Sequence, residues 1–192
     1  MSIEIVAYDE GWPSAFLALA QPLRQAVGGD AARIDHIGST SVPGLAAKDV
    51  IDVQVTVVEL AGDTAWARAL ASLGYREATA VTRDHVPALA GGTAGDWEKR
   101  YFRPPPALRR MHLHVRAAGR ANQRYSLLFR DYLRSNEAAA TTYGAIKTTL
   151  AARHGDDVDY YYAVKDPVCD LIIGAAEEWA ARSDWRVGPS DA

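Results

Sequence analysis

His36-Ile37-Gly38-Ser39-Thr40-Ser41-Val42-Pro43-Gly44-Leu45-Ala46-Ala47-Lys48-Asp49-Val50-Ile51-Asp52 is the stretch around which the chain is organised. Arg33 to Ile37 reads as a strand, and Gly38-Ser39-Thr40-Ser41 breaks away from its end. Val42-Pro43-Gly44 makes a turn, Leu45 to Ala47 suits the start of a short helix, and a second strand then presents Asp52. Glycine at position 38 permits backbone geometry closed to other residues. It also lets backbone N–H groups approach phosphate oxygens, as anion-binding nests do. Ser39, Thr40 and Ser41 add hydroxyl donors. A carboxylate on the neighbouring strand can hold a hard divalent cation that neutralises phosphate charge. An ordinary strand–turn–strand with polar turn residues has the same composition, so the short pattern alone does not choose between the two.

The second strand, Val50 to Val58, is rich in β-branched residues, and its alternation puts Asp52, Gln54 and Thr56 on one face. On the N-terminal side, Ile3 to Ala7 reads as a short strand and Asp9 as the cap of a helix that Trp12 and Pro13 open. Phe16, Leu19, Leu23 and Val27 make that helix's apolar stripe, and Gly28-Gly29 ends it. On the C-terminal side, Asp63 to Leu73 is a helix with Trp66, Leu70 and Leu73 inward. Tyr75 to Gly95 is a surface loop or lid. Trp97 to Phe102 reads as a strand ended by Pro104-Pro105-Pro106, and Met111 to Arg116 as another. From Asn122 the period becomes helical, with Tyr125, Leu128, Phe129 and Tyr132 on one stripe. A second helix covers Glu137 to Arg153, and a third follows Gly155 and reaches Trp179 or beyond. The pattern predicts an α+β fold, a mixed sheet with flanking helices followed by a C-terminal helical bundle. Residues 1–120 form the core, 121–187 the helices packed on it within the same domain, and 188–192 a flexible tail.

A chain of 192 residues suits one domain. Cys169 stands alone, which excludes an intramolecular disulfide and a Cys-based zinc site and fits a reducing, cytoplasmic setting. The N-terminus has no basic leader, and no run is apolar enough to span a membrane. A net charge of −3 argues against general nucleic-acid binding. The local cluster Arg100, Arg103, Arg109, Arg110, Arg116, Arg120 and Arg124 supplies enough positive charge for a phosphorylated small molecule, or serves as a solvated face.

His112 and His114, two apart on a strand, reach the same side, where Asp52 can join them from an adjacent strand. Two imidazoles and one carboxylate make a metal site suited to zinc, iron or nickel. Alternatively one histidine acts as a general base toward an acceptor hydroxyl, or both are hydrogen-bonded within a polar cleft. His36 precedes the turn and supports it, whereas His85 and His154 read as surface residues. Among the C-terminal cations, Arg130 can grip a phosphate or carboxylate with two parallel hydrogen bonds or pair structurally with Asp131. Lys147 and Lys165 supply point charges. Tyr125, Tyr132 and Tyr160-Tyr161-Tyr162 read as helix packing, with one ring free to stack on a base.

The stretch from Ile37 to Leu45, followed by Lys48 and the Asp52 strand, resembles the signature of the GrpB family. So do Tyr8-Asp9 with Trp12-Pro13, His112-Leu113-His114-Val115, Leu127 to Arg134, and Tyr143 with Lys147 and Lys165. The resemblance implies the polymerase-beta-like nucleotidyltransferase fold. Its site would have Gly38, Ser39, Thr40, Ser41, Lys48, Arg130, Lys147 and Lys165 around phosphates and Asp52, His112 and His114 on a divalent metal. Domains of this kind also occur fused to dephospho-coenzyme A kinase, a hint of nucleotide or coenzyme metabolism. Active nucleotidyltransferases carry two carboxylates on alternate strand positions and a third nearby, holding two metal ions. Here Gln54 stands at the alternate position, the third falls near His112 and His114, and Asp49 replaces an expected proline. Three functions follow as expectations. One is a magnesium- or manganese-dependent nucleotidyl or phosphoryl transferase. The second is a catalytically reduced nucleotide- or coenzyme-binding module. The third is a transition-metal enzyme built on Asp52, His112 and His114.

Overall fold

A computed structural model describes residues 2–88 and 90–192. The β-branched run becomes β2 (Ile51–Val57), which pairs antiparallel with β1 (Ala31–Ile37) and parallel with β5 (Met111–Ala117). β4 (Arg100–Arg103) and the two-residue β3 (Arg76–Glu77) complete a five-stranded mixed sheet of order β1-β2-β5-β4-β3. Alternation along the strands separates two faces. Ile51, Val53, Val55 and Val57 join Leu113 and Val115 in a core closed by Trp12, Phe16, Leu19 and Leu23 of α1 (Trp12–Val27) and by Trp66 and Leu70 of α2 (Ala65–Ser72). The opposite face carries polar residues in register, with Asp52 beside His112, Gln54 beside His114 and Thr56 beside Arg116. That face is the one that can carry chemistry.

Three helices follow: α3 (Ala121–Ser135), α4 (Glu137–His154) and α5 (Val158–Ser183). Their apolar stripes meet in a second core, where Leu128, Tyr132, Leu133, Tyr143, Cys169 and Ile173 enclose Val42 and Leu45 of the turn between β1 and β2. The turn is therefore clasped by the helices. Gly144 of α4 lies so close that an added Cβ would sit 3.3 Å from Leu45 Cδ1. The α+β architecture matches the expectation, as do the three C-terminal helices to within a few residues.

Several local expectations differ. Ile3 to Ala7 contributes a single bridge, Val6 to Ala47, and that pairing consumes the backbone that a short helix at Leu45 to Ala47 would need. Asp9 binds the Gly11 N–H at 2.7 Å, one step short of capping α1 itself. The strand expected from Trp97 begins at Arg100, because Ala94–Trp97 forms a 3-10 turn closed by Thr93 and Asp96. Asp49, in the place of a proline, accepts hydrogen bonds from the Trp12 indole at 2.8 Å and from Arg109.

The free tail expected at 188–192 is instead laid along β1. As an edge strand, β1 presents unpaired N–H and C=O groups. Ser190 Oγ accepts from Ile34 N, Ala192 N donates to the Ile34 carbonyl, and Asp191 accepts from His36 N at 2.9 Å. Asp191 also pairs with Arg130 at 2.6 Å, and that guanidinium is 3% exposed. Asp191→Ala is expected to lower the unfolding free energy by about 1.5–3 kcal/mol, the range for a charge-assisted hydrogen bond. Urea denaturation measures it, and a loss below about 0.5 kcal/mol, the level of an ordinary surface change, would mark the tail as a passenger.

Candidate functional site

Gly38 has φ +71, a conformation that other residues adopt at a cost. A Cβ there would lie 2.3 Å from Asp52 Oδ2 and 2.9 Å from its Cγ. The glycine thus opens the turn and makes room for the carboxylate on β2. Ser39–Ser41 then form a single 3-10 turn. Ser41 Oγ donates to the Gly38 carbonyl at 2.6 Å, and Arg134 Nε donates to the Ser41 carbonyl at 2.9 Å. Thr40 Oγ1 meets His36 Nε2 at 3.0 Å, and the His36 ring stacks flat on Phe16 with centroids 4.8 Å apart. Burial holds His36 down to about 4, so it supports the turn as a neutral ring.

Asp52 is the centre of the polar face. His112 Nδ1 lies 2.9 Å from Asp52 Oδ1, and His114 Nε2 lies 3.7 Å from the same oxygen. Burial alone would push the Asp52 carboxyl up. The hydrogen bond from His112 and the nearby His114 ring outweigh it and hold the carboxyl well below the usual range. One ligand atom from each of Asp52, His112 and His114 falls within 4.8 Å of the others, a spacing suited to one divalent ion. Burial, with Arg116 adding to it, holds His114 down to about 4. Its Nδ1 faces Lys99 Nζ at 3.3 Å and Arg116 Nη2 at 3.4 Å. Both neighbours are donors, so Nδ1 accepts and the ring proton sits on Nε2, toward Asp52.

These groups open into a cleft of about 560 Å³ between the sheet and α4–α5. Its lining includes Ser39, Thr40, Lys48, Asp52, His112, His114, Lys147 and Lys165, all expected from the sequence. Lys147 donates to Ser39 Oγ at 2.8 Å and to the Ala46 carbonyl at 2.6 Å. Lys48 reaches Tyr162 Oη at 2.9 Å and sits over the Tyr161 and Tyr162 rings. Gly38 shapes the turn without itself lining the cleft, and two further expected phosphate ligands lie elsewhere. Ser41 spends its hydroxyl closing the turn. Arg130 is buried against β1, held by the His36 carbonyl, Asp131 and Asp191, because the edge strand and the tail claim its donors.

Gln54 is fully buried, gripped by Arg116 Nη1 at 2.6 Å and donating to the Gln123 carbonyl. Arg116 also forks onto Asp84, which takes Lys99 Nζ at 2.6 Å and Asn122 Nδ2 at 3.0 Å. Burial works against that charge, but Arg116 and Lys99 outweigh it and keep the Asp84 carboxyl well below the usual range. Sequence reasoning missed Lys99 and Asp84. Lys99 was within reach, since the strand expected there neighbours the histidine strand, and Tyr101 indeed pairs with His114. Asp84 lies in an aperiodic loop that carries no such signal.

Residues 2–174 match the family model described as GrpB protein. The chain belongs to the GrpB family. It is 34% identical over 196 residues to Dephospho-CoA kinase of Mycolicibacterium paratuberculosis, covering 96% of this chain and 48% of that protein. It is 33% identical over 176 residues to UPF0157 protein BH1888 of Halalkalibacterium halodurans, covering 91% and 83% respectively. The chain spans about half the length of the dephospho-CoA kinase relatives it matches. The crystal structure of conserved protein GrpB from Enterococcus faecalis superposes with a TM-score of 0.69 at 32% identity, over 92% of this chain and 99% of that one. No helix among the described residues is long and apolar enough to cross a membrane.

The wedge between Gly38 and Asp52 is testable. Gly62 has φ +80 with nothing within 4 Å of an added Cβ, so Gly62→Ala costs the backbone term alone, about 1–2 kcal/mol. Gly38→Ala adds the collision with Asp52 and is expected to cost clearly more. Equal losses in thermal melts of the two variants would show that the carboxylate is not confined by position 38.

Proposed function

We propose that this GrpB-family cleft binds a phosphorylated small molecule of the nucleotide or coenzyme class, with a divalent ion on Asp52, His112 and His114. The observation that carries the reading is convergence: Lys48, Lys147 and Lys165 line the same cleft as that triad. Lys165 is tied to Asp166, whereas Lys48 and Lys147 have no carboxylate partner among the described residues. Lys48, together with Lys147 when it is protonated, therefore gives the cleft positive charge that a polyphosphate can neutralise. Ser39 and Thr40 supply hydroxyls at the glycine turn, and the exposed Tyr162 ring offers a surface on which a base can stack. A bound divalent ion would supply charge neutralisation at a phosphoryl oxygen. Dephospho-CoA kinase, the name of relatives about twice as long, agrees with a nucleotide-like ligand.

A nucleotidyltransferase-like site also fits this cleft, with one change. The position of a second metal-binding carboxylate is Gln54, locked between Arg116 and Gln123. That arrangement favours one ion over two, and binding or phosphoryl transfer over standard two-metal nucleotidyl transfer. A second reading, metal-free binding, is favoured by the surroundings of His114. Metal-bound histidines usually give their other ring N–H to an acceptor, but here Lys99 and Arg116 face that nitrogen.

Thermal-shift titration with nucleoside triphosphates and coenzyme A precursors, with and without Mn²⁺, tests both. A true ligand at a hundredfold excess over its dissociation constant is expected to stabilise the fold by about 2.7 kcal/mol. Lys165→Met should weaken nucleotide binding by about tenfold or more, the loss of one charge-assisted contact. Asp52→Asn should abolish the increment that Mn²⁺ adds. Nucleotide binding that is indifferent to chelator would select the metal-free reading, and no stabilisation by any phosphorylated compound would sink both.

A further inference from the structure

Lys147 is 2% exposed, and no carboxylate among the described residues pairs with it. Its two partners are oxygens of different kinds. The Ala46 carbonyl can only accept, whereas Ser39 Oγ can donate as well as accept. A neutral amine can donate to Ala46 and accept the Ser39 proton, and an ammonium can donate to both, so the pair of partners suits either protonation state of Lys147. Charged and titratable groups surround the amine. Lys165 of α5 and Lys48 beside β2 disfavour its charge, while Asp52 of β2 and Cys169 of α5 favour it, as does the Tyr143 ring of α4 at 4.5 Å. Burial is the largest influence and, with Lys165, brings Lys147 down to about 7.

Ser39 follows the glycine turn and lines the cleft that a ligand would enter, with its Oγ 2.8 Å from Lys147 Nζ. We infer that Ser39 is a nucleophile and Lys147 its general base, a serine–lysine pair at the phosphate end of the cleft. In the step, the Ser39 Oγ–H proton passes to Lys147 Nζ as Oγ bonds to phosphorus. The phosphoanhydride P–O bond breaks, and the leaving oxygen takes the proton back from the Lys147 ammonium. The product is a phosphoserine, which water or an acceptor hydroxyl can discharge. A pair of this kind needs no metal for proton transfer, and it gives Ser39 a covalent role in place of a purely cradling one.

The test uses an alkyl fluorophosphonate on the full chain, free of nucleotide and stripped of metal with chelator. The reagent forms an Oγ–P bond at Ser39 with loss of fluoride, leaving Lys147 protonated, and peptide mass spectrometry locates the adduct. The expected result is an adduct at Ser39 that is absent in Ser39→Ala, with a rate that rises with pH and levels off above a midpoint near 7. Lys147→Arg keeps a cation against Ser39 and Ala46 but cannot deprotonate. Labelling should then fall by about 100-fold or more, the lower range for loss of a general base. Three results each overturn the inference: no adduct at Ser39, an undiminished rate in folded Lys147→Arg, or a wild-type rate that climbs without levelling. The wild-type profile decides even if Lys147→Arg fails to fold. Since neither metal nor nucleotide is present, failure here leaves the binding reading standing, and failure of that reading leaves this result standing.

Discussion

The space that a side chain would need at position 38 is already filled by the Asp52 carboxylate, 2.3 Å from where a Cβ would stand. Backbone and acid are pressed together across the β1–β2 pair, where Ile37 sits opposite Asp52. The neighbouring groups follow from that approach. The turn swings Ser39 over the acid's strand, α4 brings Lys147 down onto it, and the parallel register of β2 and β5 sets His112 beside Asp52. The second apolar core, formed around Val42 and Leu45, fixes the turn against the helices. Cleft and fold share one anchor.

Much of this geometry is legible in the residues. Strict alternation in Ile51–Val57 announces a half-buried strand and the face on which Asp52 and Gln54 stand. The same rule places His112 and His114 together, and adjacency of the two strands is what a mixed sheet of short segments provides. The helices from Ala121 to Ser183 follow their apolar stripes, although α4 carries a weak one and is fixed mainly by packing on its neighbours.

The parts that could not be read have a common physical cause. Arg130 looks like a phosphate clamp by type and position, yet its donors are claimed by Asp191, 61 residues away, and by the His36 carbonyl. Contacts between distant segments leave no periodic trace. Asp84 is similar: an acid in an aperiodic loop acquires its role only when Arg116, Lys99 and Asn122 converge on it. The tail's attachment to β1 depends on that strand lying at the sheet's edge, a property of topology and not of any local pattern.

Arg116 gives the molecule a cation of its own beside Gln54, held by Asp84 on one side and by the amide oxygen on the other. Such a charge differs in kind from a dissolved ion. It cannot exchange with its surroundings, be outcompeted by a different metal, or be stripped by a chelating agent. On this polar face one positive charge is covalently installed, and the site keeps it whatever metal the medium offers.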